Sequence, residues 1–262
     1  MQPGDFAPSL PRSWQRELRG FHFELVREGM SGARLYRLRG TAPNEFYLKV
    51  WQTDGLTDFR SELERTRWLS GRGVSVPEIV RVFDDGRCGA VLMTALPGAH
   101  PQRLRQPTAH VVRHLAQGLR ALHEIAIADC PFDETTAIRL ERAREMIEDG
   151  SVTGEHFAER NRGRSPQAIY EQLAVTTPRP QDIVLVHGDA KLDNLLIDDH
   201  GNLGFIDCGH AGRGDRYLDL EAVTSDIDEL FGVEWIEPFA RDYGVKLEPA
   251  KLSFFSDLYE LF

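Results

Sequence analysis

Residues 187–207 read HGDAKLDNLLIDDHGNLGFID, and the polar residues Asp189, Asn194 and Asp207 within them decide how the rest of the chain is read. The β-branched run Ile183-Val184-Leu185-Val186 leads in and predicts a short buried strand. Leu195-Leu196-Ile197 and the stretch Leu203 to Ile206 predict two further strands. The turn residues Asp198-Asp199-His200-Gly201-Asn202 connect them as a hairpin. The carboxylates and the amide therefore stand at strand ends, where a loop can aim them away from the core.

Their chemistry follows from residue type and spacing. Asn194 before the hairpin and Asp207 after it are two hard oxygen donors. Such a pair suits Mg²⁺, which takes one or two protein oxygens and keeps its remaining positions for water and phosphate. Asp189 is left without a metal to hold. A carboxylate five residues before an asparagine ligand is where phosphoryl-transfer enzymes keep the group that orients an acceptor hydroxyl and receives its proton.

At 262 residues, the chain is long enough for one large domain or two lobes, and its 41% hydrophobic and 27% charged content is that of a globular protein. The N-terminal residues MQPGDFAPSLPRSW lack a basic segment followed by an apolar run. No apolar stretch approaches the roughly eighteen residues of a membrane span, so a cytoplasmic protein with no membrane partner is expected. Cys88, Cys130 and Cys208 are odd in number and lack metal-type spacing, which argues against a disulfide framework or a zinc site. The net charge is −10, yet residues 1–96 hold 14 basic and 12 acidic side chains, so the acidic excess lies entirely in 97–262. That distribution argues against nucleic acid as a partner and suits a cationic ligand.

Residues 21–26, 33–40, 45–50, 78–85 and 89–96 carry strand signals, giving a first lobe built on a sheet of about five strands. Met30-Ser31-Gly32 lies in the first turn, where backbone amides and the Ser31 hydroxyl can cover phosphates. Alternation in Phe46-Tyr47-Leu48-Lys49-Val50 separates Lys49 from the apolar face. In DFRSELERTRWL, Phe59, Leu63, Thr66 and Leu69 form a helical stripe that contains Glu62, while Glu64 falls opposite, near Arg60 and Arg67. A core-facing carboxylate needs a cation, and Lys49 is its expected partner. Thr94-Ala95-Leu96-Pro97-Gly98 ends the last strand and marks the boundary between lobes.

From Thr108 the pattern turns helical. Val111, Leu115, Leu119 and Leu122 predict a central helix over 108–125, with His110, His114 and His123 as ordinary helix residues. A charged helix stops at Gly150. Ser165 caps a short helix through Leu173 with Pro166 at its first position. Tyr217 to Phe231 is helical, with Asp226 and Glu229 on one stripe, and a last helix runs to the C-terminus with Leu252, Phe255, Leu258 and Phe262 facing the core.

His187-Gly188-Asp189 with Asn194, Ile206-Asp207-Cys208-Gly209, Asp215-Arg216-Tyr217, Glu28-Gly29-Met30-Ser31 and the ending Glu260-Leu261-Phe262 resemble the aminoglycoside 3'-phosphotransferases. The likeness runs from about residue 20 to the end. It implies an α+β, bilobal protein-kinase-like fold, with an antiparallel-sheet N-lobe over 1–96 and a mainly helical C-lobe over 97–262. It further implies transfer of the γ-phosphoryl group of ATP or GTP to a hydroxyl, the 3' position above all, of a cationic aminoglycoside. By that resemblance Asp189 is the catalytic base, Asn194 and Asp207 hold Mg²⁺, and Lys49 meets the α- and β-phosphates with Glu62 as its partner. Met30 and Ser31 belong to the phosphate loop, and Thr94 and Leu96 meet adenine through their backbone. Glu159, Asp226, Glu229, Glu260 and the Phe262 carboxylate fall at aminoglycoside-binding positions.

Departures from the family pattern are Tyr259 in place of an acidic residue, His210 where arginine is frequent, Ala158 before Glu159, and Lys191 where relatives are uncharged. Lys191 has two readings, a contact to the transferred phosphate or a solvent-exposed lysine. Two rival functions remain: a kinase of the same fold acting on another hydroxylated or amino metabolite, and a catalytically idle nucleotide-binding module.

Overall fold

Alternating side chains in the first hundred residues produce an antiparallel sheet whose two faces bury different partners. The structure is a computed structural model and describes residues 10–26, 33–40, 45–104, 108–154, 157–179 and 181–262. Strands β1 (His22–Val26), β2 (Arg34–Arg39), β3 (Glu45–Gln52), β4 (Ile79–Asp84) and β5 (Cys88–Thr94) lie in the order β1-β2-β3-β5-β4. All neighbours are antiparallel, and β3 pairs with β5 so that Leu48 faces Leu92 and Lys49 faces Val91. Leu48, Val50, Tyr36, Leu38 and Leu92 form one buried face together with Trp14 of a short helix, α1 (Arg12–Glu17). Trp51 and Val91 on the other face pack against Leu56 and Phe59 of α2 (Leu56–Gly71). Phe59 is 1% exposed, and burying such a ring is worth about 2 to 3 kcal/mol. Gly89 makes room for it, because a Cβ there would lie 2.5 Å from the Phe59 ring.

The chain divides into two compact units, Met1–Pro97 with Gly204–Gly209, and Gly98–Leu203 with His210–Phe262. In the second unit, α3 (Thr108–His123) buries Val111, Leu115, Leu119 and Leu122 as their spacing requires. It packs against α7 (Ile236–Tyr243). Helices α4 (Thr136–Glu148), α5 (Pro166–Thr176), α6 (Tyr217–Phe231) and α8 (Pro249–Tyr259) complete the unit. Ser165 caps α5 by accepting a hydrogen bond from the Ala168 amide, and the helix runs to Thr176 rather than Leu173. The last helix ends at Tyr259, short of the C-terminus, and the turn that follows shifts the phase of the stripe. Leu261 is consequently buried at 0% exposure, whereas Phe262, expected on the core face, is 41% exposed.

Strand β6 (Ile183–Val186) pairs with β9 (Gly212–Asp215), with Val184 opposite Gly214 and Val186 opposite Gly212. Between them in sequence lie β7 (Leu195–Ile197) and β8 (Leu203–Phe205), joined by a turn that the Asp198 amide closes on the Asn202 carbonyl. No helix among the described residues is long and apolar enough to cross a membrane.

Gly118 in α3 offers a test in which two effects oppose each other. Alanine is favoured over glycine within a helix by about 1 kcal/mol. A Cβ at 118 would, however, lie 2.2 Å from the Leu203 Cβ, and overpacking of that kind costs about 1 to 3 kcal/mol. Gly118→Ala should lower the urea midpoint and the melting temperature. A more stable variant would mean that Leu203 can move away at little cost.

Candidate active site

The alternation in β3 sends Lys49 to the α2 side of the sheet, where the helical stripe delivers Glu62. Lys49 Nζ donates to Glu62 Oε2 at 2.8 Å and Oε1 at 3.0 Å, and to Asp207 Oδ1 at 2.8 Å. The lysine is 3% exposed and its ammonium lies 5.1 Å from the Trp51 ring centroid. Burial works against its charge, but Glu62 and Asp207 outweigh it and the ammonium is held more firmly protonated than usual. Burial pushes the Glu62 carboxyl up more strongly than Lys49 draws it down. Asp207 has φ +56°, and it is the non-glycine residue in the left-handed region among the described residues. Arg60, on the outer face of α2, donates to Asp84 of β4 at 2.8 Å. Burial also pushes the Cys208 thiol well up, which makes it unreactive.

In the second unit the loop carrying Asp189 is held from behind. Asp219, near the start of α6 and fully buried, accepts from the His187 amide and the Gly188 amide, each at 2.7 Å. Its Oδ2 also lies 3.0 Å from His123 Nε2, and His123 Nδ1 lies 2.7 Å from the Tyr243 hydroxyl. Gly188 has φ +78°, and a Cβ there would meet the His210 carbonyl at 2.2 Å. Arg139 donates to the Gly188 carbonyl at 2.8 Å. His123 is thus part of a buried network rather than an ordinary helix residue. Its spacing of four from Leu119 was the available signal.

The clamp presents Asp189 at the mouth of the loop. The Asn194 side-chain amide donates to Asp189 Oδ2 at 2.8 Å and to the Asp189 carbonyl at 2.9 Å. The Tyr259 hydroxyl donates to Asp189 Oδ1. Burial opposes ionisation of Asp189, but the Tyr259 hydrogen bond and the neighbouring His187, Lys191 and His210 together hold its carboxyl below the ordinary range. Burial, then the Asp189 charge, pushes Tyr259 well up, so its hydroxyl stays a donor. Lys191 is exposed, with its ammonium 5.0 Å from the Tyr259 ring centroid.

The remaining expected residues are scattered in their environments. Asp226 accepts from the Leu192 amide at 2.7 Å and, with Glu229, Asp193 and Gln102, lines a cavity of about 160 Å³. Burial raises the Asp226 carboxyl above its usual range. Glu260 is already engaged, accepting from Arg160 at 2.9 Å and from the Ala158 amide at 3.2 Å. The Glu159 side chain is 90% exposed, and the Phe262 ring meets the Arg139 guanidinium at 5.4 Å. Thr94 ends β5, and Leu96 packs over Gly204. Met30 and Ser31 lie outside the described residues. Arg160, which binds both Glu260 and Asp257, was not anticipated. It lines a second cavity of about 270 Å³ with Glu221, Asp228 and Ser256. Glu221, Ser225 and Asp228 recur along one face of α6, a periodic signal that the sequence offered.

A buried lysine shared by a helix glutamate and an aspartate after a hairpin is how the protein-kinase-like fold handles nucleoside phosphates, and the sheet and helices conform to that class. The chain belongs to the phosphotransferase enzyme family (APH), whose sequence profile matches residues 22–255. The aminoglycoside 3'-phosphotransferase of Streptomyces ribosidificus is 32% identical over 252 residues, 92% of this chain and 95% of that protein. One from Escherichia coli is 31% identical over 265 residues, 97% of this chain and 96% of the relative. The crystal structure of an aminoglycoside-3'-phosphotransferase of type VIII matches with a TM-score of 0.86 at 32% identity, covering 96% of this chain and 97% of the other.

Removing the clamp tests what holds Asp189. Asp219→Ala leaves the His187 and Gly188 amides without their buried acceptor, and a loss of about 3 to 5 kcal/mol is expected from breaking a buried charged network. Urea denaturation of the purified variant measures it. A loss below about 1 kcal/mol, as for an ordinary exposed substitution, would show that the loop is held by other contacts.

Proposed function

We propose that this enzyme transfers the γ-phosphoryl group of ATP, or of GTP, to the 3'-hydroxyl of an aminoglycoside and so confers resistance. The observation that supports it most is the Asp189 carboxylate, clamped from behind by Asp219 and held from the side by Asn194, in a chain about 30% identical over its length to aminoglycoside 3'-phosphotransferases. Asp189 accepts the proton of the acceptor hydroxyl as its oxygen attacks the γ-phosphorus. Lys49, fixed by Glu62, neutralises charge on the α- and β-phosphates, and Met30 and Ser31 contribute the phosphate loop. Thr94 and Leu96 receive the base through their backbone groups. Asp226 and Glu229 attract the ammonium groups of the acceptor, with Glu159, Glu260 and the Phe262 carboxylate at the periphery.

The donor chemistry fits Mg²⁺. Asn194 spends its NH₂ group on Asp189, which leaves its amide oxygen as a ligand, and the Asp207 side chain is 47% exposed with one oxygen on Lys49. Magnesium takes one or two protein oxygens and fills its other positions with water and phosphates. When bound, magnesium neutralises phosphate charge. Catalysis by the protein is then positioning of the hydroxyl and electrostatic stabilisation.

The presence of Lys49, Asp189, Asn194 and Asp207 together speaks against an idle module. Turnover of ATP against an acceptor panel decides among the readings. Kanamycin and neomycin should be phosphorylated and gentamicin-type compounds without a 3'-hydroxyl should not; turnover only with a neutral metabolite would replace the aminoglycoside. Asp189→Asn should lower kcat about 10²-fold or more with little change in the KM for ATP, the scale of losing a general base. Near-normal kcat in that variant would remove Asp189 from the role.

A further inference from the structure

An acceptor hydroxyl that gives its proton to Asp189 must first reach the carboxylate as an O–H donor, at about 2.6 to 3.2 Å. In this structure another O–H already occupies that place. The Tyr259 hydroxyl donates to Oδ1, while Oδ2 is taken by Asn194. The Asn194 contact is the less replaceable of the two, because the same NH₂ group also holds the Asp189 carbonyl and the Asn194 amide is tied to the Lys191 carbonyl at 2.8 Å. The hydrogen bond that can yield is therefore the one from Tyr259.

Tyr259 is well placed to hold and to yield. It is the last residue of α8, whose Phe255 and Leu258 are buried at 0% and 1% exposure, so the backbone that carries it is anchored. On one side its ring meets the Lys191 ammonium at 5.0 Å, a cation on a flexible stem. Where an acidic side chain would repel Asp189, a tyrosine instead satisfies it. Resting on the reading of Asp189 as the base, we propose that Tyr259 is a positioning residue that occupies the acceptor place on Asp189 and yields it to a bound acceptor hydroxyl, so that water is poorly activated in the acceptor's absence. A water molecule brings no further contacts with which to displace Tyr259. An acceptor with several rings draws on other parts of the unit, such as the cavity at Asp226 and Glu229, and spends that binding on the exchange. A hydrogen bond to an ionised group corresponds to about tenfold or more in occupancy.

The uncoupled reaction that Tyr259 restrains is ATP hydrolysis. A bond forms from the water oxygen to the γ-phosphorus, the bond to the ADP leaving group breaks, and Asp189 takes the water proton. In the full-length protein, Tyr259→Phe should raise ATP hydrolysis without acceptor about tenfold. It should also lower the KM for kanamycin by a similar factor, with kcat within about twofold and the KM for ATP unchanged. Tyr259→Leu, which also lacks the hydroxyl, should show the same gain in hydrolysis. A ring that served packing alone would leave Tyr259→Phe close to the parent enzyme, depress kcat and stability only in Tyr259→Leu, and raise hydrolysis in neither. Unchanged or slower hydrolysis in Tyr259→Phe overturns the proposal. So does a gain that persists in the Asp189→Asn/Tyr259→Phe double variant, since the effect would not then pass through Asp189. If no aminoglycoside is phosphorylated, the acceptor assignment falls, while the hydrolysis comparison still decides the role of Tyr259.

Discussion

The carboxylate of Asp219 sets the geometry on which the loop carrying Asp189 depends. Burying an ionised carboxylate without partners costs several kcal/mol, so its position is tolerable only because His187, Gly188 and His123 converge on its two oxygens. The convergence is mutual. Two consecutive amides can point at one side chain only if the chain turns sharply, which Gly188 permits at φ +78° and in contact with the His210 carbonyl. Helix α6 supplies a rigid mount, and the direction in which Asp189 leaves the loop follows from these contacts. Mobile side chains elsewhere matter less to it than these fixed ones.

The first unit solves the same problem with the signs exchanged. There the buried charge is a cation, and Glu62 and Asp207 surround it. Buried ion pairs of this kind are weak contributors to stability, since desolvation offsets much of the attraction. What they fix is direction: a lysine with two carboxylate partners has its ammonium held in one place. The left-handed backbone of Asp207 fits the same account, because a conformation that side chains seldom adopt is kept where it aims an oxygen at the buried Lys49.

Much of this was readable from residue type and period. The strand-to-loop position of Asp189, the register that turns Lys49 away from Leu48 and Val50, and the wheel that places Glu62 beside Phe59 are all local properties of the sequence. The unread parts have physical reasons. Strand β9 reads Gly-Arg-Gly-Asp and carries no strand propensity; it exists because Gly212 and Gly214 let Val186 and the Phe132 carbonyl approach closely. Trp14 is buried by a sheet that follows it in sequence, so α1 has no signal of its own. The end of α8 at Tyr259 exchanged the burial of Phe262 for that of Leu261. The meeting of Tyr259 with Asp189 joins residues 70 positions apart, and no pattern near either one announces it.

The pairing of Val186 with Gly212 has a consequence for how such a chain can diversify. It closes residues 187–211 into an excursion whose two ends are tied together, and the turn from Asp198 to Asn202 lies nine residues along it from Asp189. Loop-closure entropy grows only logarithmically, so even doubling a flexible segment costs about 0.6 kcal/mol. Lengthening therefore adds little closure cost at the exposed Asp199 and His200, whereas Gly201 is fixed against the His114 ring. The excursion can thus change length at its tip while the paired strands that carry Asp189 keep their register.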